Sequence, residues 1–236
     1  MYLTRFRVNT ARTGARRLLS SPQVLHAAVM SSFADILPST SGTPRVLWRI
    51  DHNAKAEVLL YIVGPTRPDL THLVEQAGWP TLSPGWDTYD YSAFLDRLSP
   101  GGIWAFRLTA NPVHNIRRTD GEPTKRTAHR TPRHQMGWLL QRQEASGFRV
   151  LTKPAERRLA SEGDEFELTV GNGRGLSFGK SGAAGGRGGA RVTLTTATFD
   201  GRLEVVDADT LRRTLVAGLG KAKAYGCGLM TLAPVG

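Results

Sequence analysis

Within the first 112 residues the hydrophobic period of the chain changes from two to nearly four and back, twice. That alternation restricts the fold more than any other feature. Residues 1–8 alternate apolar and polar side chains, as a half-buried strand does. Ser20, Ser21 and Pro22 make a helix start, with hydroxyl caps followed by proline in the first turn. Leu25, Val29 and Phe33 carry an apolar stripe onward to about Leu37, where Pro38 stops it. Residues 45–51 and 57–63 read as two strands joined by a turn at 52–56. Asp69 caps a second helix that runs through Ala77, and a loop rich in Pro, Gly and Trp leads to a short helical stretch near 92–98. Residues 103–109 then read as a strand, stopped by Pro112. The order β-α-β-β-α-β predicts a ferredoxin-like (RRM-like) unit over residues 1–112.

The remainder predicts a second α+β unit of similar size. Residues 113–134 are polar and basic, with Pro123 and Pro132, and read as a linker. From 135 the pattern gives a helix to 145 and a strand at 148–151. Two hairpins follow, 165–170 with 176–178 around Asn172–Gly173, and 190–199 with 202–206 around Asp200–Gly201. Asp207 or Asp209 caps a helix to about Ala217, and a glycine-rich loop leads to a last strand at 229–232. The expected fold is therefore α+β, two tandem ferredoxin-like domains at 1–112 and 135–236. Residues 182–189 are low in complexity.

Charge points to the kind of partner. Lys and Arg number 31 against 20 Asp and Glu, a formal net charge of +11, and the excess is local. Residues 1–34 hold Arg5, Arg7, Arg12, Arg16 and Arg17 with no acidic residue; 174–191 and the tail after Asp209 are likewise basic and acid-free. A phosphate backbone attracts cations and repels carboxylates, so a face that binds nucleic acid loses its acids. No stretch approaches the ~20 apolar residues of a membrane span, and the N-terminal apolar run is broken by Pro22, Gln23 and His26. The expectation is a cytoplasmic protein with no membrane partner. Cys227 is the single cysteine, which excludes an internal disulfide. Lying between two glycines before a strand, it reads as a small buried residue.

Several motifs fail on spacing. Gly179-Lys180-Ser181 lacks the earlier glycine of a phosphate-binding P-loop, since Arg174 holds that place. The six histidines show no metal-ligand spacing, and no metal or cofactor is expected. Two features survive. Gly218-Leu-Gly220-Lys221-Ala-Lys223-Ala-Tyr225-Gly226-Cys-Gly228-Leu229 combines backbone freedom with two lysines, a pattern suited to phosphate and equally to a glycine-rich turn. His26 lies one turn into the first predicted helix, directly after the basic run. Histidine titrates near ~6.5 and suits metal-free RNA cleavage, which must move a proton at the 2′-hydroxyl or the leaving 5′-oxygen.

Four segments together resemble the CasE family, the CRISPR-associated endoribonucleases of type I-E Cascade. They are the opening strand with Asn9…Ala15-Arg16-Arg17 and Pro22…His26; residues 105–112 followed by Lys125-Arg126; Trp138-Leu139 with Gly147-Phe148; and residues 199–205 with the 218–229 loop. The resemblance implies metal-independent cleavage of precursor CRISPR RNA at the base of the repeat hairpin. It also implies retention of the product within the complex, alongside other Cascade subunits. His26 falls on the family's catalytic histidine. Arg12, Arg16 and Arg17 are then expected to contact phosphate near the scissile bond. Arg174 and Lys180, on a predicted hairpin, are expected to enter the groove of an RNA stem. Lys125 and Arg126, with Lys221 and Lys223, are expected to grip the backbone. Where the family often has a tyrosine three residues before the histidine and a basic residue after it, this chain has Gln23 and Ala27. Those departures motivate an alternative, a weak or inactive RNA-hairpin-binding subunit of the same complex.

Overall fold

The computed structural model describes residues 1–34, 44–53, 57–116, 124–160, 163–179 and 191–235. Two antiparallel sheets organise it. The first contains β1 (Tyr2–Val8), β2 (Leu47–His52), β3 (Val58–Gly64) and β4 (Trp86–Asp90), in the spatial order β2-β3-β1-β4. The second runs β11 (Met230–Pro234), β5 (Ile103–Ala110), β10 (Arg191–Val205), β8 (Phe148–Val150), with β9 (Leu168–Gly179) also paired to β10. With β9 set aside, each sheet places its own first strand beside its fourth and third, with the second outermost. Both units are ferredoxin-like.

The strand at 103–110 was expected to close the first sheet. It instead forms an eight-residue ladder with β10, from Ala110↔Ala197 to Ile103↔Glu204. The fourth strand of the first unit is β4, which pairs with β1 from Tyr2↔Asp90 to Phe6↔Trp86. Its sequence, Trp-Asp-Thr-Tyr-Asp, is polar at an edge and carries no alternating signal, which is why it reads as loop.

Other elements differ in detail. Two helices occupy the N-terminal basic run: α1 (Thr13–Ser20), which the sequence reading missed, and α2 (Pro22–Met30), which stops short of Leu37. Residues 35–43 lie outside the described residues. The expected linker holds a two-stranded ribbon, β6 (Val113–Ile116) with β7 (Lys125–Ala128), followed by α5 (Pro132–Leu140), whose N-cap Thr131 accepts from the His134 N–H. The two predicted hairpins are one: β9 and β10 pair from Leu168↔Gly201 to Gly179↔Arg191. Asn172 takes a left-handed φ of 50° without ending its strand, and the register shifts opposite it, between Thr196 and Thr198. Gly201 serves a close cross-strand approach, since a Cβ there would lie 2.3 Å from the Glu167 carbonyl oxygen. Lys180 and residues 182–189 fall outside the described residues. Helix α3 (Thr71–Ala77) follows Asp69, whose carboxylate accepts from the Thr71 N–H at 2.9 Å. The short α4 (Tyr91–Leu95) follows β4, and α6 (Ala208–Ala217) is capped by Asp207.

Phe6, Leu25, Val29, Trp48 and Leu60 belong to the first core, and Leu108, Phe148, Phe199, Leu203 and Leu211 to the second, which Leu47 and Val63 of the first sheet also enter. Arg49 fastens the two sheets. Its guanidinium is buried and donates to Asp51 Oδ1 and Oδ2 at 2.7 and 2.8 Å, to the carbonyls of Arg107 and Leu229, and to Thr231 Oγ1. All five guanidinium donors are thus matched, which is what a charge needs to stay buried.

Candidate functional site

Helix α2 turns Leu25 and Val29 into the first core and leaves His26 half-buried beside them. Trp48, on β2 and 3% exposed, donates from its indole Nε1 to His26 Nδ1 at 3.2 Å. Burial, and then the charge of Arg45, hold the His26 pKa below the ordinary histidine value. Arg45 also acts on Lys223, whose pKa is lowered by burial first and then by Arg45 and Lys221.

The glycine loop reaches this place from the other end of the chain. Lys223–Tyr225 forms a single 3-10 turn packed against α2 and β2. Gly226 follows with φ of 78°, and a Cβ on it would sit 2.7 Å from the Trp48 ring. At this position glycine is required by backbone sign and by the indole lying against it. Cys227 beside it is buried, and burial pushes its thiol up to about 12, so it is inert packing as the sequence indicated.

Trp48 and Tyr225 also line a cleft of about 210 Å³ between the units. The end of α1 and start of α2, the β2 residues Ile50, Asp51 and His52, Asn172 and Arg174 of β9, and Arg107 of β5 also line it. His52 is held below its usual pKa by burial and by Arg174, with Asp51 opposing. Arg107 is ion-paired with Asp200 at 2.6 Å and lies 3.8 Å from Asp51. A second groove, of about 740 Å³, runs between the β6–β7 ribbon and β10 and is lined by Lys125, Arg126, Arg130 and Lys221.

The sequence-predicted cations therefore separate. Lys125, Arg126 and Lys221 come together on one groove, and Arg174 stands on the cleft that Trp48 shares. Arg16 and Arg17 are exposed on α1. Arg12 turns inward and donates to the carbonyls of Val74, Glu75 and Gly78 at the end of α3. Lys223 donates to the Ala217 carbonyl at 2.7 Å, at the end of α6. Both bind carbonyls at a helix end, where the last turn leaves backbone acceptors without a helical donor; Val74 also accepts from the Gly78 N–H. Lys180 is outside the described residues. Among the described residues no three His, Cys, Asp or Glu side chains group as metal ligands would, and no helix is long and apolar enough to cross a membrane. Sequence reasoning missed Arg45, Trp48, His52 and Tyr225. Arg45 and Trp48 lie in a stretch that read only as a strand and His52 in the turn expected after it, and the packing of the glycine loop against β2 brings them together.

Fold and site together define a double ferredoxin-like protein with a cleft between its units that Arg107, Arg174 and Asp51 line, and with His26 bonded to Trp48 of the cleft wall. The family model described as CRISPR associated protein matches residues 1–234, and the chain belongs to that family. It is 31% identical over 236 residues to the CRISPR-associated endoribonuclease Cse3 of Thermus thermophilus, covering 99% of this chain and 100% of that one. It is 28% identical over 203 residues to the CRISPR system Cascade subunit CasE of Escherichia coli, covering 80% of this chain and 89% of the relative. The structure of Thermus thermophilus Cse3 bound to an RNA representing a pre-cleavage complex superposes with a TM-score of 0.73 at 29% identity, over 99% of this chain and 98% of that one.

Proposed function

We propose that this chain is a cytoplasmic, metal-independent endoribonuclease that cuts precursor CRISPR RNA at the base of the repeat hairpin and stays bound to the product as a Cascade subunit. The observation that carries this reading is the end-to-end match to a named endoribonuclease, with His26 bonded to Trp48 on the wall of a cleft lined by both units. In this reading the 2′-hydroxyl oxygen attacks the adjacent phosphorus and the bond to the 5′-oxygen breaks. The 2′-proton is lost and a proton is delivered to the leaving oxygen, giving a 2′,3′-cyclic phosphate and a 5′-hydroxyl. His26 serves this proton transfer or its hydrogen bonding. Arg16, Arg17 and Arg174 meet phosphate near the cleft, and Lys125, Arg126 and Lys221 track the backbone of the stem. Arg12 and Lys223 act by holding the ends of α3 and α6. The units divide ahead of β5, so that each keeps its whole sheet, of four strands in the first unit and five in the second.

A repeat hairpin carrying a 2′-deoxy substitution at the scissile nucleotide tests this directly. In EDTA it should bind with unchanged affinity and remain uncut, while the all-ribose hairpin is cleaved. Cleavage of the deoxy substrate would refute attack by the 2′-oxygen. Gln23 and Ala27 favour the second reading, a binding subunit with weak or lost chemistry; tight binding of the all-ribose hairpin with no cut product would establish it.

A further inference from the structure

We infer that Trp48 is a positioning residue for His26, fixing the imidazole with its proton on Nε2, and that the glycine loop holds Trp48 in place to do so. The inference deepens the endoribonuclease reading and rests on it for its kinetic consequence. An indole nitrogen can only donate. The 3.2 Å bond from Trp48 Nε1 therefore requires Nδ1 of His26 to be the unprotonated acceptor, which leaves the ring proton on Nε2. Among the described residues Nε2 has no protein partner, so the group offered to RNA is an N–H donor. It can bond a phosphate oxygen or the leaving oxygen. To act as a base through Nε2, His26 would first have to release Trp48.

Protonating Nδ1 would set two donors face to face, so the bond favours the neutral ring. Burial and the neighbouring Arg45 act in the same direction, and Arg45 acts also on Lys223 of the loop. Trp48 itself is confined, being buried in the first core with Gly226 flush against its ring. A residue of the most specific C-terminal sequence block thus acts on a histidine two hundred residues earlier through one indole.

The test is histidine nitrogen NMR on the full chain, with the His26 signals assigned from a His26→Ala spectrum. Wild-type His26 should show an unprotonated Nδ1 and a protonated Nε2. Trp48→Phe keeps an aromatic ring against Gly226 and removes the donor. It should mix the tautomers, move the His26 titration upward and lower the single-turnover rate roughly three- to tenfold, the worth of one hydrogen bond. Its melting temperature is measured alongside. Gly226→Ala, which drives a Cβ into the indole, should give the same tautomer mixing from the other side. An Nδ1-protonated His26 in the wild type, or a Trp48→Phe protein whose tautomer and titration are unchanged, would overturn the inference. So would a tautomer change that leaves the rate untouched. If His26→Ala cuts at the wild-type rate, the catalytic reading of His26 fails; the wild-type nitrogen spectrum decides the Trp48 bond without reference to cleavage.

Discussion

Truncating His26 to alanine removes two things at once, a half-buried imidazole and the acceptor of a buried indole N–H. Loss of a positioned proton-transfer group typically costs ~10²–10⁴ in rate. An unmatched buried donor costs about 1–3 kcal/mol of stability. His26→Ala should therefore lower both the single-turnover rate and the melting temperature. His26→Gln separates the two, because its side-chain oxygen can accept from Trp48 while it cannot transfer a proton. We expect Gln to recover stability relative to Ala, read by thermal melting, and only that part of the rate which an N–H donor supplies, read by cleavage under single-turnover conditions. Full recovery of rate by Gln would show that His26 transfers no proton. The pH dependence follows from the same contacts. The folded-state pKa of His26 lies below the unfolded value, near ~6.5, so unfolding takes up a proton in the window between them. The stability that His26 contributes is present above the unfolded pKa and is lost as pH falls through the folded one. His26→Gln should lessen that acid-side loss.

At the scale of elements, the groove between the β6–β7 ribbon and β10 and the ends of helices ask different things of their cations. Lys125, Arg126 and Lys221 share the groove. If each neutralises one phosphate, replacing all three by alanine should flatten the log–log salt dependence of binding by roughly two to three units, at about 0.7–0.9 per phosphate. Lys223→Ala should leave that slope unchanged and lower the melting temperature, since its ammonium group caps α6. A flattened slope for Lys223→Ala would return it to the interface. The same distinction explains what the sequence disclosed. Period and capping residues made β1, β2, β3, α2, α3 and α6 legible, because their signals are local. Arg12 and Lys223 looked like phosphate ligands because no local pattern announces a cation spent on a distant carbonyl. Asp200–Gly201 looked like a turn, yet Gly201 answers to the Glu167 backbone just ahead of β9. Strand β4 is identified by its partner β1, not by its own five residues. His26 was singled out by its sequence context, whereas its partner Trp48 lies in a stretch that read only as a strand, with no local signal of the contact.

For the whole molecule, the cleft exists only if the two sheets keep their relative placement, and Arg49 is the side chain most committed to that. It sits on β2 next to Trp48, is 2% exposed at its side chain against 7% for Asp51, and bonds backbone or hydroxyl oxygen of β5, the segment before β11 and β11 itself. Removing one member of a buried ion pair costs about 3–5 kcal/mol, because the partner charge stays behind without its match. Arg49→Met should approach that loss in urea unfolding, softened by Arg107, which lies 3.8 Å from Asp51. The double change Arg49→Met, Asp51→Leu removes the stranded carboxylate and should recover part of the stability, since replacing both members of such a pair is often close to neutral. The two variants share their consequences for RNA. Each leaves Lys125, Arg126 and Lys221 in place, so the salt slope of binding should hold. Affinity should fall in both, because the carbonyls of Arg107 and Leu229 lose the donor that ties His26's sheet to Arg174's. A stable double variant with wild-type affinity would show that apolar contacts alone, chiefly Leu47 and Val63 entering the second core, set the angle between the units.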